Sequence, residues 1–392
     1  MTAKPVPYWR LSGFYFFYFA GLGAIIPYWN LYLEKIGLNS AQIGELSALL
    51  AATRIVAPNL WGWIADHTGQ GLKIIQLLSF LATAIFCGFL LKTDFTSIVW
   101  LTVGFSFFWN ATLPQYEAVT LFHLQNDSHR YSRIRLWGSI GFIFAVSGIG
   151  AWLDFYPVDW LPSLVLVLLA LVWLVAVITP NAKLSGHMDQ VPQGLWQIIK
   201  KPEVLVFLLV YMLLQLSHGP YYIFYSLYLK QLGYSAAITG GLWALGVCAE
   251  IVIFMLMGKL LKRVSLRQLV LFSLLAATCR WLLIAWCADS LGWLMLAQVL
   301  HAATFGTAHV AAIYLIQAYF GQRHQNKGQA LYSSVSFGIG GMLGSLLSGY
   351  GWEFLGALQV YSIAASVCVL AFALAYFGTP GLSAQNLGRK VR

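Results

Sequence analysis

Residues 32–49, YLEKIGLNSAQIGELSAL, have a second copy at 228–245, YLKQLGYSAAITGGLWAL. The offset is 196, half the length of the 392-residue chain. Between positions 31 and 62, 13 of 32 residues are identical at this offset, from Leu31 and Leu227 to Gly62 and Gly258. Shared apolar composition does not produce that agreement, so the chain is an internal duplication. Working outward, the first copy closes on Gly62-Trp-Ile-Ala-Asp66-His67-Thr-Gly69-Gln-Gly71-Leu-Lys73, and the second on Gly258-Lys-Leu-Leu-Lys262-Arg263, which keeps the glycine and loses the aspartate.

The composition sets the solvent. The chain is 59% hydrophobic and 9% charged, with a mean hydropathy of +0.73. Soluble domains carry about 25% charged residues. An integral membrane protein follows, built of helices that satisfy their own backbone polar groups. Twelve spans are expected near 11–33, 41–63, 74–93, 97–123, 134–154, 162–179, 203–229, 236–258, 268–288, 291–319, 330–350 and 356–378. The one long polar connection is PNAKLSGHMDQVPQG, starting at Pro180. It separates an N-terminal six-helix bundle, 1–179, from a linker, 180–201, and a C-terminal six-helix bundle, 202–392.

The net charge of +10 has a topological reading. Of 23 lysines and arginines, 18 fall at the termini or in the even-to-odd connections, and Lys35, Lys92 and Lys230 fall on the opposite side. The positive-inside bias then puts both termini in the cytoplasm. No basic domain is left over for nucleic acid. The first span is expected to be retained, since no small-residue cleavage site follows it promptly. Cys87, Cys248, Cys279, Cys287 and Cys368 all lie in apolar spans without a CxxC pair and are expected to be small buried residues. Trp9, Trp29, Trp100, Trp160, Trp293 and Trp352, near span ends, are expected to anchor at the interface. Gly340, Gly344, Gly341, Ser345 and Gly349 have the spacing of a helix-packing ridge.

Charges inside a membrane point to function. Arg54, Glu117, Glu250 and Arg280 fall well inside spans, each at a cost of several kcal/mol by order of magnitude unless paired or hydrated. Arg54 and Glu250 occupy the same position of the two repeats with opposite charge. His301, His309 and His218 add titratable groups. For His218, beside Gly219-Pro220, a local helix break competes with a functional role.

The run from Gly62 to Lys73 resembles the loop signature of the major facilitator superfamily, although His67 and Gln70 stand where that pattern prefers fixed positive charge. That resemblance implies a gating role for Gly62, Asp66, Gly69 and Lys73. Glu117 and Arg135 resemble the sugar-holding pair of the lactose permeases. Glu250, Arg280 and His301 resemble their proton machinery, whose second carboxylate is replaced here by Thr304. The chain is closer to the bacterial phenylpropionate permease family. Arg135-Leu-Trp-Gly-Ser-Ile-Gly-Phe, GYSAAITGGLWALGVCAEIVIF with Glu250, and Arg280-Trp followed by His301 and His309 carry that likeness.

These observations imply an all-α membrane protein of the major facilitator fold, with twelve transmembrane helices in two pseudo-symmetric bundles. The expected function is a proton-coupled symporter that imports a small organic solute, an aromatic carboxylate such as 3-phenylpropionate, by alternating access across a bacterial inner membrane. Glu250, Arg280 and His301 are expected to couple the proton, with Arg280 facing Glu250. Arg54, Glu117, Arg135, Trp109, Tyr116 and Tyr222 are expected to bind substrate. A sugar or nucleoside permease and a non-transporting sensor are the alternatives. The motifs of nucleotide, zinc and serine hydrolases are absent, so an enzyme is not expected. Neither a cofactor nor a metal is expected, and the partners are substrate, protons and lipid around a monomer.

Overall fold

The computed structural model describes residues 6–124, 128–181 and 194–378. Among them are twelve long helices: α1 Tyr8–Lys35, α2 Ser40–Thr68, α3 Gly71–Leu90, α4 Phe95–His123, α5 Ser128–Leu153, α6 Leu161–Ile178, α7 Pro202–Gln231, α8 Ala236–Leu260, α9 Leu266–Trp286, α10 Leu291–Gly321, α11 His324–Leu355 and α12 Ala357–Gly378. Ten are long and apolar enough to cross a bilayer by length and composition. The other two, α2 and α4, have 29 residues each and carry Arg54 and Glu117.

The sequence repeat is also a repeat of local structure. α2, α4 and α6 begin at residues 40, 95 and 161, and α8, α10 and α12 begin 196 positions later in each case. The best-matched stretch shows why. α1 ends where Gly37 takes φ +93°, with Leu38 N–H donating to Leu33 O and Gly37 N–H to Glu34 O. α7 ends where Gly233 takes φ +84°, with Tyr234 N–H donating to Leu229 O and Gly233 N–H to Lys230 O. Only glycine adopts this left-handed stop without strain, so both copies keep it. The next helix then starts on a capping residue. Asn39 accepts from Gln42 N at 2.9 Å, and Ser235 accepts from Ile238 N at 3.2 Å.

The chain divides into two compact units, Met1–Met188 with Ser235–Gly241, and Asp189–Tyr234 with Leu242–Arg392. In the first, α1 packs on α5 and α6, α3 on α6, and α4 on α2 and α3. In the second, α7 packs on α11 and α12, and α9 on α12. Small residues make both seams. A Cβ at Gly141 of α5 would fall 2.1 Å from Phe16 O of α1, and one at Gly344 of α11 would fall 2.6 Å from Leu216 O of α7. Backbones that close gain dispersion contacts which apolar lipid would not otherwise supply. Of the expected linker 180–201, residues 182–193 lie outside the described residues, and Leu195–Ile199 is a short helix. Lys4, Lys183, Arg389, Lys390 and Arg392 of the charge pattern also lie outside them.

Several local expectations are corrected. The signature run is not a loop: Gly62 to Thr68 belong to α2, and Gly71 to Lys73 open α3. The turn is confined to Gly69, at φ +63°, and Gln70. Cys368 is buried, whereas Cys87, Cys248 and Cys279 are exposed. In a membrane protein the outside is apolar as well, so a small apolar residue need not turn inward. Trp9, Trp100, Trp160 and Trp293 are exposed as anchors should be, but Trp29 and Trp352 are buried. Their rings pack on Phe86 and Phe89, and on Phe224. Neither α10 nor α11 is regular: each contains a π-turn, Ala302–Thr307 and Ser334–Gly340. α7 is interrupted at His218, between Ser217 and Gly219, as the adjoining Gly-Pro suggested.

Candidate functional site

In the second unit the three expected coupling residues meet. Glu250 sits 14 residues into α8, Arg280 in the last third of α9, and His301 at the end of the regular part of α10. The approach of α8 to α10 depends on two glycines. A Cβ at Gly246 would lie 3.3 Å from Gln298 Oε1, and one at Gly306 would lie 3.2 Å from Glu250 Cγ. The order of the three differs from the expectation that Arg280 faces Glu250. Arg280 Nη1 donates to His301 Nδ1 at 3.0 Å, and His301 Nε2 lies 4.0 Å from Glu250 Oε2. The imidazole therefore stands between cation and carboxylate.

That order determines the tautomer. A guanidinium has donors only, so His301 Nδ1 must be the acceptor, and the proton of the neutral ring is on Nε2, facing Glu250. Placing a proton on Nδ1 as well would break the Arg280 bond. A change of charge at Glu250 is consequently felt through a ring that is held in one orientation.

Arg280 is completely buried. Its guanidinium lies 4.1 Å from the Tyr221 ring centroid and 4.7 Å from that of Trp281. It also donates to Thr304 Oγ1 at 3.3 Å and Gln298 Oε1 at 3.5 Å. Aromatic faces and neutral acceptors thus replace part of the hydration that burial removes. Gln298, His301 and Thr304, three apart, share one face of α10. Gln298 also accepts from Tyr221 OH at 2.9 Å. Tyr225 and Trp243 close on Tyr221 at 5.0 and 4.5 Å between centroids. Tyr222 is half-buried beside Tyr221.

The first unit distributes its charges differently. Arg54 Nε donates to Asn110 Oδ1 at 3.3 Å, and Asn110 Nδ2 donates to Thr53 Oγ1 and Leu50 O. Glu117 accepts from Tyr131 OH at 3.1 Å. Arg135, one turn after Tyr131 on α5, acts on Glu117 electrostatically and lies 3.9 Å over the Phe19 ring. Trp109 stacks on Tyr18 at 4.1 Å. Tyr116 stacks on Phe14 at 3.5 Å, and its hydroxyl pairs with Thr179 Oγ1 and Arg10 O. Both functions of that tyrosine are engaged in packing. In the signature run Asp66 is exposed in the last turn of α2, Lys73 is exposed, and Gly62 faces Gln115.

Among the residues of these networks not singled out from sequence are Gln298 and Asn110. The signal was their spacing: Gln298 is one turn before His301, and Asn110 two turns before Glu117, on the same helical faces.

Twelve long helices in two compact units, a repeat in sequence and capping, and ionisable residues inside apolar helices define a secondary transporter of the major facilitator fold. The chain belongs to the MFS_1 like family, which it matches over residues 8–363. It is 30% identical over 361 residues to the probable 3-phenylpropionic acid transporter of Escherichia coli (strain K12), covering 89% of this chain and 92% of that one. It is 27% identical over 375 residues to the maltose permease of Geobacillus stearothermophilus, covering 92% of each. A crystal structure of a variant of the nucleoside transporter NupG superposes with a TM-score of 0.86 at 17% identity, covering 95% of this chain and 100% of that one. It is therefore a multi-pass membrane protein that moves small molecules, and it is not an enzyme.

Proposed function

We propose that the protein is a proton-coupled symporter that imports an aromatic monocarboxylate such as 3-phenylpropionate by alternating access. The observation that carries this reading is the buried Glu250–His301–Arg280 chain among Tyr221, Tyr225 and Trp243. Glu250 is the proton carrier. Its neighbour reports its charge to a guanidinium, and a guanidinium suits a carboxylate in a two-pronged pairing. Arg54 and Arg135 add positive charge in the first unit, where Trp109 and Tyr18 offer flat apolar faces. The E. coli relative, a probable 3-phenylpropionic acid transporter, favours the same cargo. The membrane is the bacterial inner membrane, both termini are cytoplasmic, and Asp66 and Lys73 belong to the gate.

A second reading has its own support. Asn110, Thr53 and the Tyr131–Glu117 pair form a hydroxyl-binding set, as a sugar or nucleoside permease needs. Competition separates the two. Phenylpropionate and its analogues should displace a labelled aromatic acid, and a protonophore should abolish its uptake. Displacement by maltose or nucleosides, with aromatic acids inert, would sink the acid reading. A reporter fused after Arg392 that proved periplasmic would overturn the topology.

A further inference from the structure

His218 interrupts α7 and takes no part in the site above. Its Nδ1 lies 2.8 Å from Leu214 O. A carbonyl only accepts, so Nδ1 carries the proton of the neutral ring and Nε2 presents a bare lone pair. The residue is 1% exposed, and among the described residues Nε2 has no hydrogen-bond partner. Ser336 Oγ is in the same condition at 1% exposure. Both residues line one cavity of about 20 Å³ among α7, α10 and α11. A water needs roughly 10–15 Å³ of such space and at least two polar partners.

The two π-turns shape this cavity. Ala302–Thr307 contributes Thr304 and Phe305, and Ser334–Gly340 contributes Ser336 and Phe337. Each turn delivers one hydroxyl and one ring to the same wall, with Phe305 and Phe337 edge to face at 6.3 Å. Irregular helix at a polar cavity is the arrangement expected of a working site. Thr304 belongs to both places, since it accepts from Arg280.

We propose that His218 is a second proton site of the transporter: a water between its Nε2 and Ser336 delivers the proton, and the ring takes it when a carboxylate offsets the Arg280 charge. The groups around it make that condition physical. Arg280 of α9 is its charged neighbour, and the same guanidinium acts on His301. Around it lie His309 on α10 and Tyr332 on α11, which share the cavity wall, and Cys368 on α12, bonded to Ser217. Glu250 lies beyond His301. None of His309, Tyr332 and Cys368 supplies a fixed negative charge, so while Glu250 is protonated an imidazolium here would face an uncompensated guanidinium at low dielectric. An ionised carboxylate, Glu250 once deprotonated or the substrate acid, removes that repulsion. Proton and anion are then taken together. The proton comes from the aqueous side as hydronium, forms the Nε2–H bond and leaves a water behind.

The inference rests on the proton-symport reading, and its test uses no transport substrate. Full-length protein labelled with ¹⁵N-histidine is placed in nanodiscs, and His218 is assigned by difference with His218→Gln. In the unmodified protein at high pH, Nε2 should resonate as an unprotonated nitrogen. In Arg280→Gln the proton affinity of the ring should rise at least about tenfold, one pH unit in midpoint. A protonated Nε2 at high pH, or an unmoved midpoint in Arg280→Gln, overturns the proposal. Should Arg280→Gln fail to accumulate, Ser336→Ala supplies the second arm: loss of the bridging water should shift the Nε2 resonance, and an unchanged resonance overturns it. Either failure removes His218 alone, while uptake with and without a protonophore decides the symport reading separately.

Discussion

α2 and α8 begin at equivalent residues, yet 14 positions in, one carries Arg54 and the other Glu250. Arg54 donates to a neutral amide on α4, Asn110, which in turn donates to Thr53 beside Arg54 on α2. Around Glu250 the partners are ionisable and sequential, His301 and then Arg280. A duplicated frame supplies depth and direction for a side chain but does not dictate its chemistry. On the proposed reading, one copy is a place where a charge is held and the other a place where charge can change.

The strongest way to break this contrast is Glu250→Gln. It should leave substrate exchange intact while pH-gradient-driven accumulation falls to a ratio of about one, the value without coupling free energy. Accumulation that survives would move the proton site elsewhere, with Glu117 next to be tested. Arg54→Gln should do the converse. Affinity for an aromatic acid should fall about 10- to 100-fold, the loss of a charge-assisted hydrogen bond, with the pH dependence of uptake unchanged. A shifted pH profile would erase the division of labour.

Asp66→Asn is expected to have a smaller effect. Turnover should slow a few-fold, about 1 kcal/mol of barrier, with substrate affinity nearly unaltered. Unchanged turnover would count against a gate. The smallest effect sharpens the symmetry itself. Gly37→Ala and Gly233→Ala each force a Cβ into a left-handed stop and should each lower stability by about 1 kcal/mol. Unequal losses in thermal unfolding would show that the two stops are not equivalent.

Much of this was legible in the chain. The repeat pointed to two related halves, and charged or titratable residues in apolar spans pointed to Glu250, Arg280 and His301, which the fold brings together, because a bilayer makes such residues conspicuous. Asn110 and Gln298 were harder to see, since uncharged polar residues are common in membrane helices. The π-turns could not be read at all. AATFGT and SVSFGIG have nothing against an α-helix, and their extra residue is accommodated by what packs around them. Inward or outward placement of cysteines and tryptophans was misjudged for a related reason. When lipid and protein interior are both apolar, hydropathy does not separate them, and only neighbours such as Phe86 or Phe224 do.

The turn at Ala302–Thr307 also limits how the duplication can be counted. A π-turn is one residue inserted in a helix, and the rest of that helix is rotated by about 100° relative to an uninterrupted copy. Addition of 196 therefore pairs like with like at Arg54 and Glu250, above any such turn. Between Thr307 and the end of α10 it falls one residue short, before α12 returns to the same offset: Glu117 on α4 maps by number onto Ile313, but by face onto Tyr314. Ancestry and geometry diverge at that point, and a residue swapped between the halves of this chain has to be placed by one or the other.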